Sequence, residues 1–356
     1  MKMFDEVCKD VTKTARKIPQ SDYQESGEYK IFDQGKDYIG GFTNDSTGIV
    51  NDYPYIVFGD HTRIIKYVDE PCFIGADGVK LLKVFNQEFY PKYVYYSFIA
   101  NPVASIGYSR HFKYLKEKYI KKCDLDLQHT IVNNLDNINN AISLAKERLL
   151  SLDELVKSRF IEMFGDIVRN DLQWETDKLS ILCPIKNYRG EIPAIDGKYW
   201  LLNLDLVESN TGTVLAKNYV NFNEIGNSTI TFSEEYVLYS KLRPYLNKVV
   251  LPDGIGYATS ELVPFLPSAK INKYYLAYAL RSDNFVALIN DKSGGAKMPR
   301  APMDFVKAFP LPIPPISLQN EFAEFVKLID KSKFIVQQQI KDLEELLDSK
   351  MDEYFR

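Results

Sequence analysis

Apolar residues recur at helical spacing along two long stretches of this chain. In the first, Leu127, Ile131, Leu135, Ile138, Ile142, Leu149, Leu152, Leu155 and Val156 form one stripe, with Ala145 in its widest gap. Steps of three, four and seven make a near-heptad pattern. They predict a helix over residues 127–163, about 55 Å long at about 1.5 Å per residue. Gly165, just past the last periodic residue, reads as the stop. The second stretch runs from about Ser317 to Tyr354. Pro310, Pro312, Pro314 and Pro315 stiffen its approach, and Ser317 is the expected N-cap.

The two stretches are copies of one plan at an offset of 191 residues. Leu127 and Gln128 meet Leu318 and Gln319. Leu152, Glu154, Leu155 and Ser158 meet Leu343, Glu345, Leu346 and Ser349, giving a shared L-x-E-L-x-x-S. Apolar positions follow: Ile131 with Phe322, Leu135 with Val326, Ile138 with Ile329, Leu149 with Ile340. Stripes this long must be covered, and each copy is the natural cover of the other. The expected seam is antiparallel. It sets Leu135, Ile138, Ile142, Leu149, Leu152 and Leu155 against Val326, Ile329, Ile340, Leu343 and Leu346. Two amphipathic helices inside a single globular core is the alternative, and both seams are long for it.

A strand-rich segment precedes each helix. Residues 1–118 hold VNDYPYIVFGD and EPCFIGADGVKLLKV; residues 165–310 hold STITFSEEYVLYSKLRPYLNKVVLPDGIGYATSELVPFL. Tyr55–Lys66 lines up loosely with Tyr236–Asn247 at an offset of 181. Tyrosine-rich runs follow, YPKYVYYSFIA and NKYYLAYALRS, and read as helices packed on a sheet. The expected fold class is α+β, with a pseudo-twofold repeat. Two mixed α/β domains (1–118 and 165–310) are joined by two long antiparallel coiled-coil helices (119–164 and 311–356).

Charge sharpens the division. The 356 residues carry a net charge of -4, which excludes a histone-like basic coat. Residues 1–118 and 165–310 each balance 16 basic against 16 acidic side chains, so the surplus acid lies in the helices. A phosphate backbone is therefore expected on the globular parts. No apolar run approaches the roughly 20 residues of a membrane span. The opening MKMFDEVCKDVTKTARK lacks the apolar core of a signal peptide. Cys8, Cys72, Cys123 and Cys183 lie far apart, as in a reduced cytoplasmic chain. The three histidines form no zinc spacing. Neither GxxxxGK[ST] nor GxGxxG occurs, and Trp174 and Trp200 read as packing residues. The expectation is a non-enzymatic protein with no catalytic residue, cofactor or metal of its own.

Two stretches carry a family resemblance. LQHTIVNNLDNINNAISLAKERLLSLDELVKSRFIEMFGD and FPLPIPPISLQNEFAEFVKLIDKSKFIVQQQIKDLEELLDSKMDEYF resemble the central and distal spacer helices of type I restriction-modification specificity subunits (HsdS). VLYSKLRPYLNKV and GGAKMPRAPMDF resemble parts of that family's target recognition domains. The resemblance implies that each domain reads one half of a split double-stranded DNA site, with the helices as a ruler. It further implies docking of two modification subunits, which methylate adenine with S-adenosylmethionine. Restriction subunits then join through the complex, using ATP and Mg. One departure stands out: the first copy has IKKCDLDLQH where the second has PLPIPPISLQN. Without the prolines, a less rigid joint is expected between the first domain and its helix.

Cations in turns and at strand edges are the candidates for DNA contact. In the first domain these are Lys36, His61, Arg63, Lys66, Lys80 and Arg110, the last beside Tyr108 and His111. In the second they are Lys186, Tyr188, Arg189, Lys241, Arg243, Lys292, Lys297 and Arg300. The competing function is a coiled-coil adaptor that joins proteins without reading DNA.

Overall fold

Both apolar stripes fold as continuous 40-residue helices, Leu125–Phe164 and Ile316–Phe355. The computed structural model describes every residue except Ile106, Tyr108, Gly295, Ala296 and Lys297. Gly165 ends the first helix at φ +72°, where a side chain is strained, and its N–H closes on the Ile161 carbonyl at 2.8 Å. The second helix starts at Ile316, one residue earlier than expected. Ser317 therefore lies inside the first turn and is not the N-cap. The Leu318 and Gln319 N–H groups bond the Pro315 carbonyl instead, so the rigid proline sets the start.

The chain divides into two units whose boundaries fall inside both helices. One comprises residues 1–146 and 338–356, the other residues 147–337. The helices are antiparallel within each unit. In the first, Asn134 donates to the Tyr354 hydroxyl at 3.1 Å and Lys146 pairs with Glu344 at 2.8 Å. In the second, Arg159 pairs with Glu321 at 3.0 Å and Asp153 with Lys333. Numbers rise on one helix as they fall on the other.

Ile131, Val132 and Leu135 share the first unit's core with Met351 and Phe355. Val156, Phe160, Met163 and Phe164 share the second unit's core with Phe322, Val326 and Ile329. Ile142 and Ile340 are buried, while Ile138, Leu149, Leu152 and Leu343 are half-buried. Leu155 and Leu346 depart from the expected seam: they are 47% and 43% exposed. The heptad reading placed them inside. The helices instead keep stepping by four, through Leu152, Val156, Phe160 and Phe164, and through Leu343, Leu347, Met351 and Phe355. That is the drift of a 3.6-residue turn against a 3.5-residue repeat.

The two globular parts share a plan. In the first, an antiparallel sheet runs in the order Cys8–Asp10, Val79–Val84, Tyr55–Gly59, Ile65–Val68. Tyr55–Gly59 is buried throughout because each face meets a core: Ile56 and Phe58 face one, Tyr55 and Val57 another. A second sheet mixes Lys17–Ile18, Cys72–Gly75, Tyr29–Phe32 and Gly41–Thr43. The helix Pro91–Ala100 packs Tyr93, Val94 and Phe98 into the core. In the second part, Val237–Ser240 lies between Val249–Val250 and Leu262–Phe265, all antiparallel. A mixed sheet runs Tyr219–Val220, Tyr199–Leu202, Gly256–Thr259, Thr229–Phe232. Lys273–Arg281 is the helix matching Pro91–Ala100. Each part closes with a short antiparallel pair, Lys2–Met3 with Tyr119–Ile120 and Thr176–Lys178 with Pro310–Pro312. No helix among the described residues is long and apolar enough to cross a membrane.

Candidate nucleic-acid interface

In each domain the fully buried strand leads into a turn that carries an arginine at positive φ. After Tyr55–Gly59 it is Arg63, at φ +64°; after Val237–Ser240 it is Arg243, at φ +50°. A side chain in this region costs about 1–2 kcal/mol, so its surroundings must hold it there. In the first domain the Gly59 N–H bonds the Ile64 carbonyl and the Arg63 N–H bonds the Gly59 carbonyl, closing the hairpin. In the second, the Arg243 N–H donates to the Pro299 carbonyl at 2.8 Å.

A second chain segment braces each turn. Asp60 is buried, and its carbonyl accepts the His111 N–H at 2.8 Å while its carboxylate accepts the Phe112 N–H at 2.8 Å. In the matching place, the Lys241 carbonyl accepts the Ala301 N–H at 2.8 Å, and Leu242 bridges Arg300. The bracing segments bring Arg110 and Arg300 toward their turns, and both are exposed. Each domain thus gathers two arginines, Arg63 with Arg110 and Arg243 with Arg300. Such a pair can meet phosphate oxygens or the acceptor edge of a guanine. Arg63 spends one nitrogen on the Val103 carbonyl at 3.2 Å. Arg300 is paired with Glu261, whose carboxyl it holds below the usual range. The Arg243 Nε is buried and has no hydrogen-bond partner among the described residues.

Other candidates fall differently. Lys36, Lys186 and Arg189 are exposed. His61 is half-buried, with its N–H on the Gln34 side chain. Lys80 is paired with Asp10 at 3.2 Å and lies over the Phe112 ring; Lys292 pairs with its neighbour Asp291. Tyr188 is half-buried against the second domain's core. Lys241 is half-buried beside the Arg243 turn. Lys66 is corrected: it is 3% exposed, pairs with Asp33 at 3.3 Å and donates to the Asp37 carbonyl at 2.6 Å. The connection between Tyr29–Phe32 and Gly41–Thr43, which carries Asp33 and Asp37, covers it. His111 is buried, with its N–H on the Asp60 carbonyl at 2.8 Å. Lys297 and Tyr108 lie outside the described residues. Sequence reasoning missed Asp60 and Glu261, because a brace and a counter-charge leave no local pattern.

Burial pushes the Cys8, Cys72 and Cys183 thiols up to about 12, so they stay protonated at neutral pH. Within residues 147–337 a cavity of about 870 Å³ lies against the helices, lined by residues including Asp153, Phe160, Tyr278, Arg281, Asp330 and Lys333. Its charges are largely spent internally. Asp153 pairs with Lys333, and Arg281 lies over the Tyr278 ring with its Nε on the Val249 carbonyl at 3.0 Å.

The arrangement is a duplicated α/β domain, each copy followed by a 40-residue helix. A family model described as the type I restriction modification DNA specificity domain matches residues 173–345. The type I restriction enzyme EcoDI specificity subunit of Escherichia coli is 21% identical over 136 residues. That match covers 38% of this chain and spans 30% of the relative's length. The fold is shared with the crystal structure of a type I restriction-modification S subunit from M. genitalium (TM-score 0.59, 14% identity). The likeness covers 98% of this chain and 94% of that one. A chain from a structural study of complex assembly and conformational transition in the type I system is also similar (TM-score 0.55, 13% identity, 99% and 96% covered). Residues 173–345 thus match the type I restriction modification DNA specificity domain, and the chain as a whole shares the fold of the solved S subunit.

Proposed function

We propose that this chain chooses the DNA sequence for a type I restriction-modification complex and leaves the chemistry to its partners. Each globular domain reads one half of a split double-stranded site, and the paired helices set the distance between halves. The observation that carries the reading is the matched arginine turn. In both domains the turn after the buried strand holds an arginine at positive φ and is braced by a later segment, although the surrounding residues differ. Strain held in the corresponding turn of both domains favours a working element over an accident of packing.

The helices supply the docking surface for two modification subunits. Leu144 and Ile335 match at the repeat offset and are 65% and 58% exposed; Leu155 and Leu346 form a second matched exposed pair. Exposed apolar side chains at equivalent positions suit two copies of one partner. S-adenosylmethionine, ATP and Mg belong to the partner subunits, and the complex works in the cytoplasm. The test is co-expression with the modification subunit and genome-wide mapping of methylated adenines. The expected motif has two fixed blocks separated by unspecified bases. A continuous motif overturns the bipartite reading, and the absence of any enriched sequence favours the protein adaptor.

A further inference from the structure

Gln128 and Gln319, equivalent in the repeat, are both fully buried near the starts of the two long helices. Each carboxamide uses its oxygen and both of its N–H groups. Gln128 Oε1 accepts the Tyr90 N–H at 2.8 Å, and its Nε2 donates to the Glu88 and Cys123 carbonyls at 2.8 Å each. Gln319 Oε1 accepts the Asn272 N–H at 2.8 Å, and its Nε2 donates to the Lys270 and Pro314 carbonyls at 3.0 and 2.7 Å. The partners correspond one for one. They are the residue just before the matching domain helix, the residue two before that, and the turn that leads into the long helix.

We propose that Gln128 and Gln319 are positioning residues that fix each recognition domain rigidly on its spacer helix. In doing so they hold the gap between half-sites to a single length. This rests on the bipartite reading above. All six partners are backbone atoms, so the lock ignores the side chains around it. It therefore forms in the first copy, with Cys123 in place of Pro314, without the proline-rich approach. The less rigid first joint expected from that difference is not what the bonding shows.

The geometry makes the joint matter. About 20 residues of helix form a lever of about 30 Å at about 1.5 Å per residue. A tilt of about 10° at its root then displaces the far end by about 5 Å, more than one base-pair step of about 3.4 Å. A buried amide with every polar atom engaged leaves no second orientation for such a tilt. Removing it would strand one N–H and two carbonyls, and the joint would loosen to reach water or other partners.

The test uses the full chain in complex with its modification subunit. Gln128→Met and Gln319→Met keep the side-chain length and remove all three bonds. Methylated adenines are mapped for each variant and for wild type. The expected result is unchanged bases in both half-sites, with sites one base pair longer or shorter methylated at least tenfold above the wild-type level. An assembled variant that keeps a single spacing overturns the proposal. If the methionine variants do not assemble, Gln128→Asn and Gln319→Asn carry the test, since they keep the amide but withdraw it by one methylene. Relaxed spacing in these supports the proposal. Strict spacing, or failure of these variants also to assemble, assigns the glutamines a purely structural role and overturns it. A continuous wild-type motif would instead sink the bipartite reading itself, so the two failures are distinguishable.

Discussion

Arg300 and Glu261 form a two-bond ion pair, Nη2 to Oε1 at 2.9 Å and Nε to Oε2 at 3.3 Å. The pair sits beside the Arg243 turn, so a DNA phosphate that met Arg300 would compete with Glu261. Glu261→Gln should free the guanidinium and strengthen binding to DNA of any sequence at low salt. The slope of log affinity against log salt should steepen by up to about one unit. The pH dependence has a fixed sign. Arg300 depresses the Glu261 carboxyl below its ordinary value of 4.5, so the pair is intact above that value. It opens as pH falls through the depressed pKa. Affinity measured across salt at pH 7 checks the first point. If the Glu261→Gln substitution leaves both affinity and slope unchanged, Arg300 does not meet phosphate.

Lys66 should behave as structure rather than as a DNA contact. Lys66→Ala leaves the Asp33 carboxylate without its cation in a nearly closed site, at a cost of about 3 kcal/mol. Urea unfolding should show the loss, whereas salt-dependent DNA affinity of the folded fraction should not change. A stable variant with weakened DNA binding would restore the lysine to the interface.

How much of this could be read in the sequence depended on which force fixed each residue. The offset linking Gln128 to Gln319 was legible because helix packing writes a periodic pattern into the chain. Leu155 and Leu346 were misplaced for the same reason: a heptad frame and a true 3.6-residue turn diverge over 40 residues. Arg63 was legible as a cation at a strand edge, but Arg243 read as part of a strand-like run that in fact ends at Ser240, and the positive φ the two share was not legible. Neither is glycine, and the bracing segments come from residues 110–112 and 299–301. Lys66 was unreadable because its partners Asp33 and Asp37 lie on a distant hairpin. The work of the two glutamines was hidden most completely, since all their partners are backbone atoms.

The seam and the outer face of the helices should separate cleanly under mutation. Phe322 is fully buried among the rings of Phe160 at 5.4 Å, Phe164 at 5.4 Å and Tyr278 at 5.3 Å. Phe322→Ala should cost about 3–5 kcal/mol, measured by denaturant unfolding. Leu155→Asp with Leu346→Asp should change stability by less than about 0.5 kcal/mol, because these positions face solvent. The same double variant should lose modification-subunit assembly in size-exclusion chromatography. Full assembly would remove these leucines from the docking surface.

The arginine turns allow backbone and side chain to be tested apart. Glycine adopts positive φ without strain, so Arg243→Gly should keep the turn and relieve up to about 1–2 kcal/mol. Greater chain freedom in the unfolded state offsets part of that gain, and the melting temperature should stay level or rise slightly. Arg243→Ala keeps the strain and loses the same guanidinium, so it should be the less stable of the two. Both should damage recognition alike, because the lost group is the same. If Arg243 meets a base, the mapped motif should lose one position in the second domain's half-site and keep the first half-site whole. If it meets phosphate, methylation should fall evenly across all sites and the salt slope should drop by about one unit. Arg63→Gly should produce the same pair of outcomes in the other half-site. Should either glycine variant leave motif, methylation level and salt slope at wild-type values, the turn carries strain for some purpose other than reading DNA.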